Sequence, residues 1–231
     1  TGAKQSFQKA RALKKAVAFF VGKLDSTHAH FYRVISSLVA NYGAVICPVV
    51  IPYIENDEVK SYIDLITNKA YACDGLELKE LRMPVSNEAD EMRSMLLEAI
   101  ATADDALMEK YFAGEEFTPE EIIEGLKKGV TAGEICPVFA GVQQTGAAVP
   151  LMVDTLLQIL PSAADAVCRF EDGEEKAFDE NGENALFVFK TIADPFVGKL
   201  SYFRVLSGKI KNDTRLINNR TGAEERLSKI M

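Results

Sequence analysis

The sequence predicts an α/β domain that gives way, near residue 184, to antiparallel β structure. Three observations carry this. The runs 45-VICPVVI-51 and 135-ICPVFA-140 are short and apolar throughout, as strands covered on both faces are. Phe31, Val34, Ile35, Leu38 and Val39 recur at i, i+3, i+4, i+7 and i+8, one apolar helix face. Beyond the acidic, Gly/Asn-containing stretch 171–184 the period changes to two. There Leu186, Val188 and Lys190 alternate with Phe187, Phe189 and Thr191, and Leu200, Tyr202, Arg204 and Leu206 alternate with their neighbours. That pattern predicts antiparallel strands with one buried face.

In chain order, residues 3–14 read as a basic helix leading into a strand at 16–21. A helix from Thr27 is stopped by Gly43, and the strand 45–51 follows. Tyr62-Ile-Asp-Leu-Ile and Lys69-Ala-Tyr are strand candidates, with a turn at Asp74-Gly75. Met92, Met95, Leu96, Ala99, Ile100 and Leu107 are helically spaced. Thr118 is a helix N-cap, with Pro119 at the first helical position and Glu121 three residues after the cap. Ile122, Ile123 and Leu126 supply that helix's buried stripe, and Gly129 its expected stop. After the strand 135–140 comes a Gly-rich loop, 141-GVQQTGAA-148. Val149, Met152, Val153, Leu156 and Leu157 then mark a helix ending near Pro161. About four strands fit after residue 184, fewer than the five or so a small closed barrel needs.

Composition narrows the function classes. The chain has 231 residues, 48% hydrophobic and 26% charged, as soluble globular proteins do. No apolar run approaches the ~20 residues of a membrane-spanning helix, so no membrane association is expected. The start, Thr-Gly-Ala-Lys, has no signal-peptide core and no initiator Met, so a piece of a longer, cytoplasmic protein is expected. A net charge of −8 argues against independent nucleic-acid binding through phosphates. The basic cluster Lys4, Lys9, Arg11, Lys14 and Lys15 reads as a solvated helix face. Cys47, Cys73, Cys136 and Cys168 form no C-x-x-C and read as buried free thiols. His28 and His30 open the helix expected from Thr27, where i and i+2 face apart, so no metal site is expected.

The candidate site begins at 21-VGKLDS-26. A strand followed by Lys-x-Asp suits a guanine-reading loop. Guanine presents N1–H and an exocyclic amine side by side, and one carboxylate, Asp25, accepts both. The Lys23 stem covers a base face with its methylenes. Such loops normally carry Asn where this chain has Gly22. A second base loop should follow a later buried strand, and Gly141, Val142 and Gln143 sit after 135–140.

Five stretches, 19-FFVGKLDSTHAHFYRV-34, 61-SYIDLITNKAY-71, 104-DDALMEKYFAGEEFTPEEI-122, 135-ICPVFAGVQQTGAAVPLMVDTLLQILPS-162 and 186-LFVFKTIADPFVGKLSYFRVLSG-208, extend the pattern over essentially the whole chain. In these the chain resembles the central part of bacterial elongation factor G and its close paralogues among the translational GTPases. The resemblance implies a layout. Residues 1–43 and 133–167 would be the second half of a P-loop GTPase domain, 44–132 an inserted α+β subdomain, and 168–231 the start of an antiparallel β-barrel domain. It implies GTP or GDP as ligand, held at the base by Gly22, Lys23, Asp25, Gly141, Val142 and Gln143, and the ribosome as partner of the longer protein.

Three departures qualify the resemblance. No G-x-x-x-x-G-K-S/T occurs, and the one D-x-x-G, Asp179 to Gly182, lies in the acidic stretch without a strand before it. Nothing in the sequence therefore grips the β- and γ-phosphates or Mg²⁺, so the chain by itself is expected to be inactive in GTP hydrolysis. Gly22 replaces the family's Asn, a loss of about 1–3 kcal/mol if the group it paired stays buried. Gly-Val-Gln replaces its Gly-Ser-Ala. The alternative is a degenerate paralogue, a ribosome-protection or regulatory protein with weakened guanine binding. Without neighbouring strands and a closed barrel, the isolated chain is expected to be marginally stable or self-associating.

Overall fold

The computed structural model describes residues 2–13, 15–26, 28–162, 167–169 and 173–231. Thr1, Lys14, Thr27, residues 163–166 and residues 170–172, where the acidic stretch begins, lie outside the described residues, as do the side chains of Cys168 and Arg169. The chain forms two compact units, Thr1–Leu160 and Pro161–Met231.

The first unit is mixed α/β, built on one six-stranded sheet of order β1-β6-β2-β3-β4-β5. Its strands are β1 (Phe19–Val21), β2 (Ile46–Glu55), β3 (Glu58–Asp64), β4 (Lys69–Asp74), β5 (Glu77–Leu81) and β6 (Cys136–Ala140). β6 runs parallel to β1 on one side and to β2 on the other. From β2 onward the sheet is an antiparallel meander. All five residues of β6 are buried, which accounts for its continuous apolar run. The sheet is thus continuous from the parallel strands into the segment 46–81.

Among the described residues six α-helices accompany it: α1 (Gly2–Ala12), α2 (Phe31–Tyr42), α3 (Asn87–Ala103), α4 (Asp105–Phe112), α5 (Pro119–Ala132) and α6 (Val149–Ile159). Phe7 of α1 packs on Phe19 at 5.3 Å and Tyr42 at 4.3 Å between ring centroids, fixing two helices against β1. Phe31, Ile35, Leu96, Ile100, Ile122 and Leu126 are fully buried between helices and sheet. No helix among the described residues is long and apolar enough to cross a membrane.

Three expectations are corrected. The helix after β1 begins at Phe31, later than expected: residues 28–30 before it are not helical, with Ser26 N–H donating to Lys23 O and Ala29 N–H to Ser26 O. His28 and His30 therefore precede the helix and do not open it. α5 passes through Gly129 and stops at Gly133, whose left-handed φ of 76° closes it. α6 forms where its apolar spacing predicts and ends before Pro161, with Leu151, Thr155 and Ile159 buried and Val153 and Leu157 exposed. In the second unit β7 (Val167–Arg169), β8 (Glu175–Ala177), β9 (Ala185–Asp194), β10 (Gly198–Ser207), β11 (Arg215–Ile217) and β12 (Glu224–Arg226) pair two by two among the described residues, and neither β9 nor β10 has the expected buried face. Phe187, Val188 and Phe189 are exposed, because a two-stranded ribbon cannot cover a face. A register shift between Tyr202 and Phe203 also breaks the period-two alternation. Asp179 has a turn-making role: its side chain accepts from Asn181 N–H at 2.9 Å and its carbonyl from Gly208 N–H at 2.8 Å.

Cys47 and Cys136 are buried and Cys73 is half-buried, all as free thiols. Burial pushes the Cys136 thiol up to about 12, so it is not a nucleophile near neutral pH.

Asp104 and Glu121 tie the helical layer together. Asp104 caps α4, accepting from Ala106 N–H at 2.9 Å and Leu107 N–H at 3.2 Å, and pairs with Lys128 of α5. Glu121 completes the α5 capping box with Thr118 and takes both 2.8 Å hydrogen bonds of Lys110. Lys128 and then Leu107 N–H hold the Asp104 carboxyl below its usual range; Lys110 and then Thr118 N–H do the same for Glu121. Their folded pKa values lie below the unfolded ones of about 4. The stability they contribute is therefore present above about pH 5 and lost as pH falls through the depressed values. A melting series from pH 6 to pH 2 should fall on the acid side, and Lys110→Ala should flatten that fall. An acid limb unchanged by Lys110→Ala would rule the pair out as its source.

Candidate functional site

β1 and β6 are parallel neighbours, so the loops that follow them leave the sheet at the same end, where open α/β sheets bind ligands. The two loops enclose a cleft of about 260 Å³ lined by Lys23, Asp25, Ser26, Val142, Gln143 and Gln144. Ser26 and Gln144 were missed in the sequence; each directly adjoins a residue that was singled out.

The first loop is pinned by Leu24, which is 7% exposed, while Lys23 and Asp25 on either side are exposed. Lys23 sits at φ 58°, the left-handed turn that swings Asp25 to the cleft side. Asp25 also bears on its surroundings electrostatically. Burial first, then Cys73 and the Asp25 charge, push the Tyr62 phenol up to about 12.

The second loop is tied to β1 by Gly141 N–H donating to Val21 O at 3.2 Å. Val142 N–H donates to Ala147 O at 3.0 Å and Gly146 N–H to Val142 O at 2.9 Å, closing the loop on itself. The Val142 side chain is buried in the core, and its N–H is already used. Gln143 N–H, like those of Gln144 and Thr145, has no acceptor among the described residues, and Gln143 and Gln144 also line the cleft. At Gly141 a Cβ would lie 2.8 Å from Ala147 O and 2.9 Å from Phe20 Cε2, so only glycine fits. The β4–β5 turn supports the loop from outside: a Cβ on Gly146 would lie 2.7 Å from Leu76 Cδ2.

A hydrogen bond joins the loops across the cleft. Lys23 N–H donates to Gln143 Oε1 at 3.2 Å. The structure thus brings Gly22, Lys23, Asp25, Gly141, Val142 and Gln143 to one end of the sheet. Four of them line the cleft, and the two glycines stand at the strand ends beside Phe20. Among the described residues no group of three or more His, Cys, Asp or Glu is placed to hold a metal ion.

No protein-family profile matches the chain. Among solved structures, it matches the crystal structure of ttk003000868 from Thermus thermophilus, with 28% sequence identity and a TM-score of 0.78. The two share a fold. The match covers 98% of this chain and 32% of that one, so this chain spans about a third of that protein's length.

Proposed function

We propose that this chain is the base-reading part of a ribosome-associated GTPase of the elongation factor G type. One observation supports this above the others: Lys23 and Asp25 after β1, and Gln143 after β6, meet in a single cleft at the same end of two parallel strands. Asp25 offers a carboxylate to the paired donors of guanine, the Lys23 stem covers the ring, and Gln143 N–H faces the base oxygen. GTP or GDP is the ligand this chemistry selects. Mg²⁺ and the attacking water belong to phosphate-gripping groups, which no motif in these 231 residues supplies. The ribosome enters as partner of the longer protein, and the setting is cytoplasmic.

The chain reads the base and leaves the phosphates untouched, so guanosine, GDP and GTP should bind with affinities within about threefold of one another, a difference under ~1 kcal/mol. Adenosine should bind about tenfold or more weakly. Ligand-observed NMR on the 231-residue chain measures both. GTP bound far more tightly than guanosine would show phosphate contacts that this reading lacks. The chain should hydrolyse no GTP, and ribosome-stimulated phosphate release above that of a Lys23→Ala/Asp25→Ala control would overturn that.

A second reading is a paralogue with weakened guanine binding. Gly22 favours it, since no side chain there can reach the base. Absence of binding by guanosine, GDP and GTP alike would decide for it.

A further inference from the structure

Gly22 and Gln143 look like two separate losses in the sequence, but they meet in space. A Cβ built on Gly22 would lie 2.5 Å from Gln143 Oε1, 3.4 Å from its Cδ and 3.1 Å from Phe20 Cε1. The Gln143 carboxamide therefore fills the space a side chain at position 22 would enter. Its oxygen is held there by Lys23 N–H, at 3.2 Å across 120 positions of sequence. An N–H donor fixes the amide's orientation: the oxygen faces Lys23, and the NH₂ is left as the free end. That NH₂ has no acceptor among the described residues, and Gln143 lines the cleft.

We propose that Gln143 is the specificity-determining side chain of this cleft, its carboxamide both clamping the two loops together and donating to the acceptor edge of a guanine base, and that Gly22 is small in order to admit it. The inference rests on the guanine reading above and assigns that site a residue. One amide is supplied from the second loop where the resembled family supplies one from the first. The cleft then offers a donor from Gln143 and a carboxylate acceptor from Asp25. Guanine matches both: O6 and N7 accept, while N1–H and the exocyclic amine donate. Adenine places its unprotonated N1 against the carboxylate, and xanthine places O2 there. Both leave lone pairs facing lone pairs.

A double-mutant cycle tests the pairing on the 231-residue chain. Guanosine binding is read by ligand-observed NMR and stability by thermal melting. Gln143→Ala should weaken guanosine binding about tenfold, the effect of one hydrogen bond of ~1.4 kcal/mol. Gly22→Asn should weaken it similarly, because a side chain there pushes the flexible Gln143 end off Lys23. The double variant Gly22→Asn/Gln143→Ala should bind no worse than either single variant, since one event underlies both losses. Gln143→Glu separates the two roles. Its oxygen still accepts from Lys23, so the melt should hold, while the lost NH₂ and the added charge beside Asp25 should weaken guanosine about tenfold or more.

Multiplying losses in the double variant would overturn the pairing. Wild-type guanosine affinity in Gln143→Glu would overturn the donor role. A chain that binds no guanosine defeats the base reading and the donor role together. The clamp is then judged by melting. Gly22→Ala should lower the midpoint by about 2–4 °C with Gln143 present, and by clearly less in the Gln143→Ala background, where only the Phe20 contact remains. Equal shifts in both backgrounds would overturn the clamp.

Discussion

Asp25→Asn is expected to turn the cleft from guanine toward xanthine. In the wild-type chain the Asp25 carboxylate can only accept, and guanine offers it two adjacent donors. An amide at this position keeps one acceptor and turns the other into NH₂. That NH₂ meets guanine's exocyclic amine donor to donor, but xanthine's O2 donor to acceptor. Charge-assisted hydrogen bonds contribute about 1.5–3 kcal/mol each, so guanosine should weaken on the order of 100-fold. Xanthosine should weaken far less, or tighten. The fold should be indifferent: Leu24, at 7% exposure, anchors the loop, whereas Asp25 is exposed and makes no hydrogen bond among the described residues. Competition between guanosine and xanthosine on wild-type and Asp25→Asn chains measures the change, with melting as the control. An unchanged guanosine-to-xanthosine ratio would mean that Asp25 does not face the base.

The sequence reveals elements whose signals are local. The apolar runs at 45–51 and 135–140 locate β2 and β6 because strands covered on both faces can carry nothing else. Thr118, Pro119 and Glu121 locate the start of α5 because the cap is made within four residues. Both loops of the cleft are legible for the same reason, as each directly follows a recognisable strand. What the sequence hides is contact at long range. Gly22 reads as a missing side chain until Gln143, on the loop after β6, is seen occupying its space. The strands after residue 184 alternate correctly on paper, but alternation cannot reveal that β9 and β10 lack a covering layer among the described residues or that their register slips at Tyr202. Likewise, Asp104 splits one helical run into α3 and α4, and only its partners Ala106, Leu107 and Lys128 explain why.

Gly129 shows the same limit with the largest expected cost to stability. Glycine near the end of a helical pattern reads as a stop, yet α5 continues to Ala132 and Gly129 is buried within it. The residue is small because Ile135 presses on it. A Cβ at 129 would lie 2.4 Å from Ile135 Cδ1, 2.5 Å from Cγ1 and 3.1 Å from Cβ. Ile135 cannot withdraw easily: its own N–H donates to Gly129 O at 3.0 Å, beside Glu134 N–H at 2.8 Å, and its side chain is buried. Backbone and side chain are thus held at one point between α5 and β6. On propensity alone, Gly129→Ala would gain about 1 kcal/mol in a helix interior. Overpacking a closed contact costs about 1–3 kcal/mol. Gly129→Ala should therefore destabilise the first unit despite its better propensity, and Gly129→Val should do so by about 3 kcal/mol. Relief should come from the other side of the contact. Ile135→Ala alone should cost about 2–5 kcal/mol through its cavity, and Gly129→Ala/Ile135→Ala should cost clearly less than the two single losses together. Gly133→Ala is the contrast: nothing lies within 4 Å of its Cβ position, so only the left-handed φ of 76° is strained, at about 1–2 kcal/mol. Chemical denaturation of the five variants separates these effects. A Gly129→Ala chain more stable than wild type would show that propensity, not the Ile135 contact, governs this position.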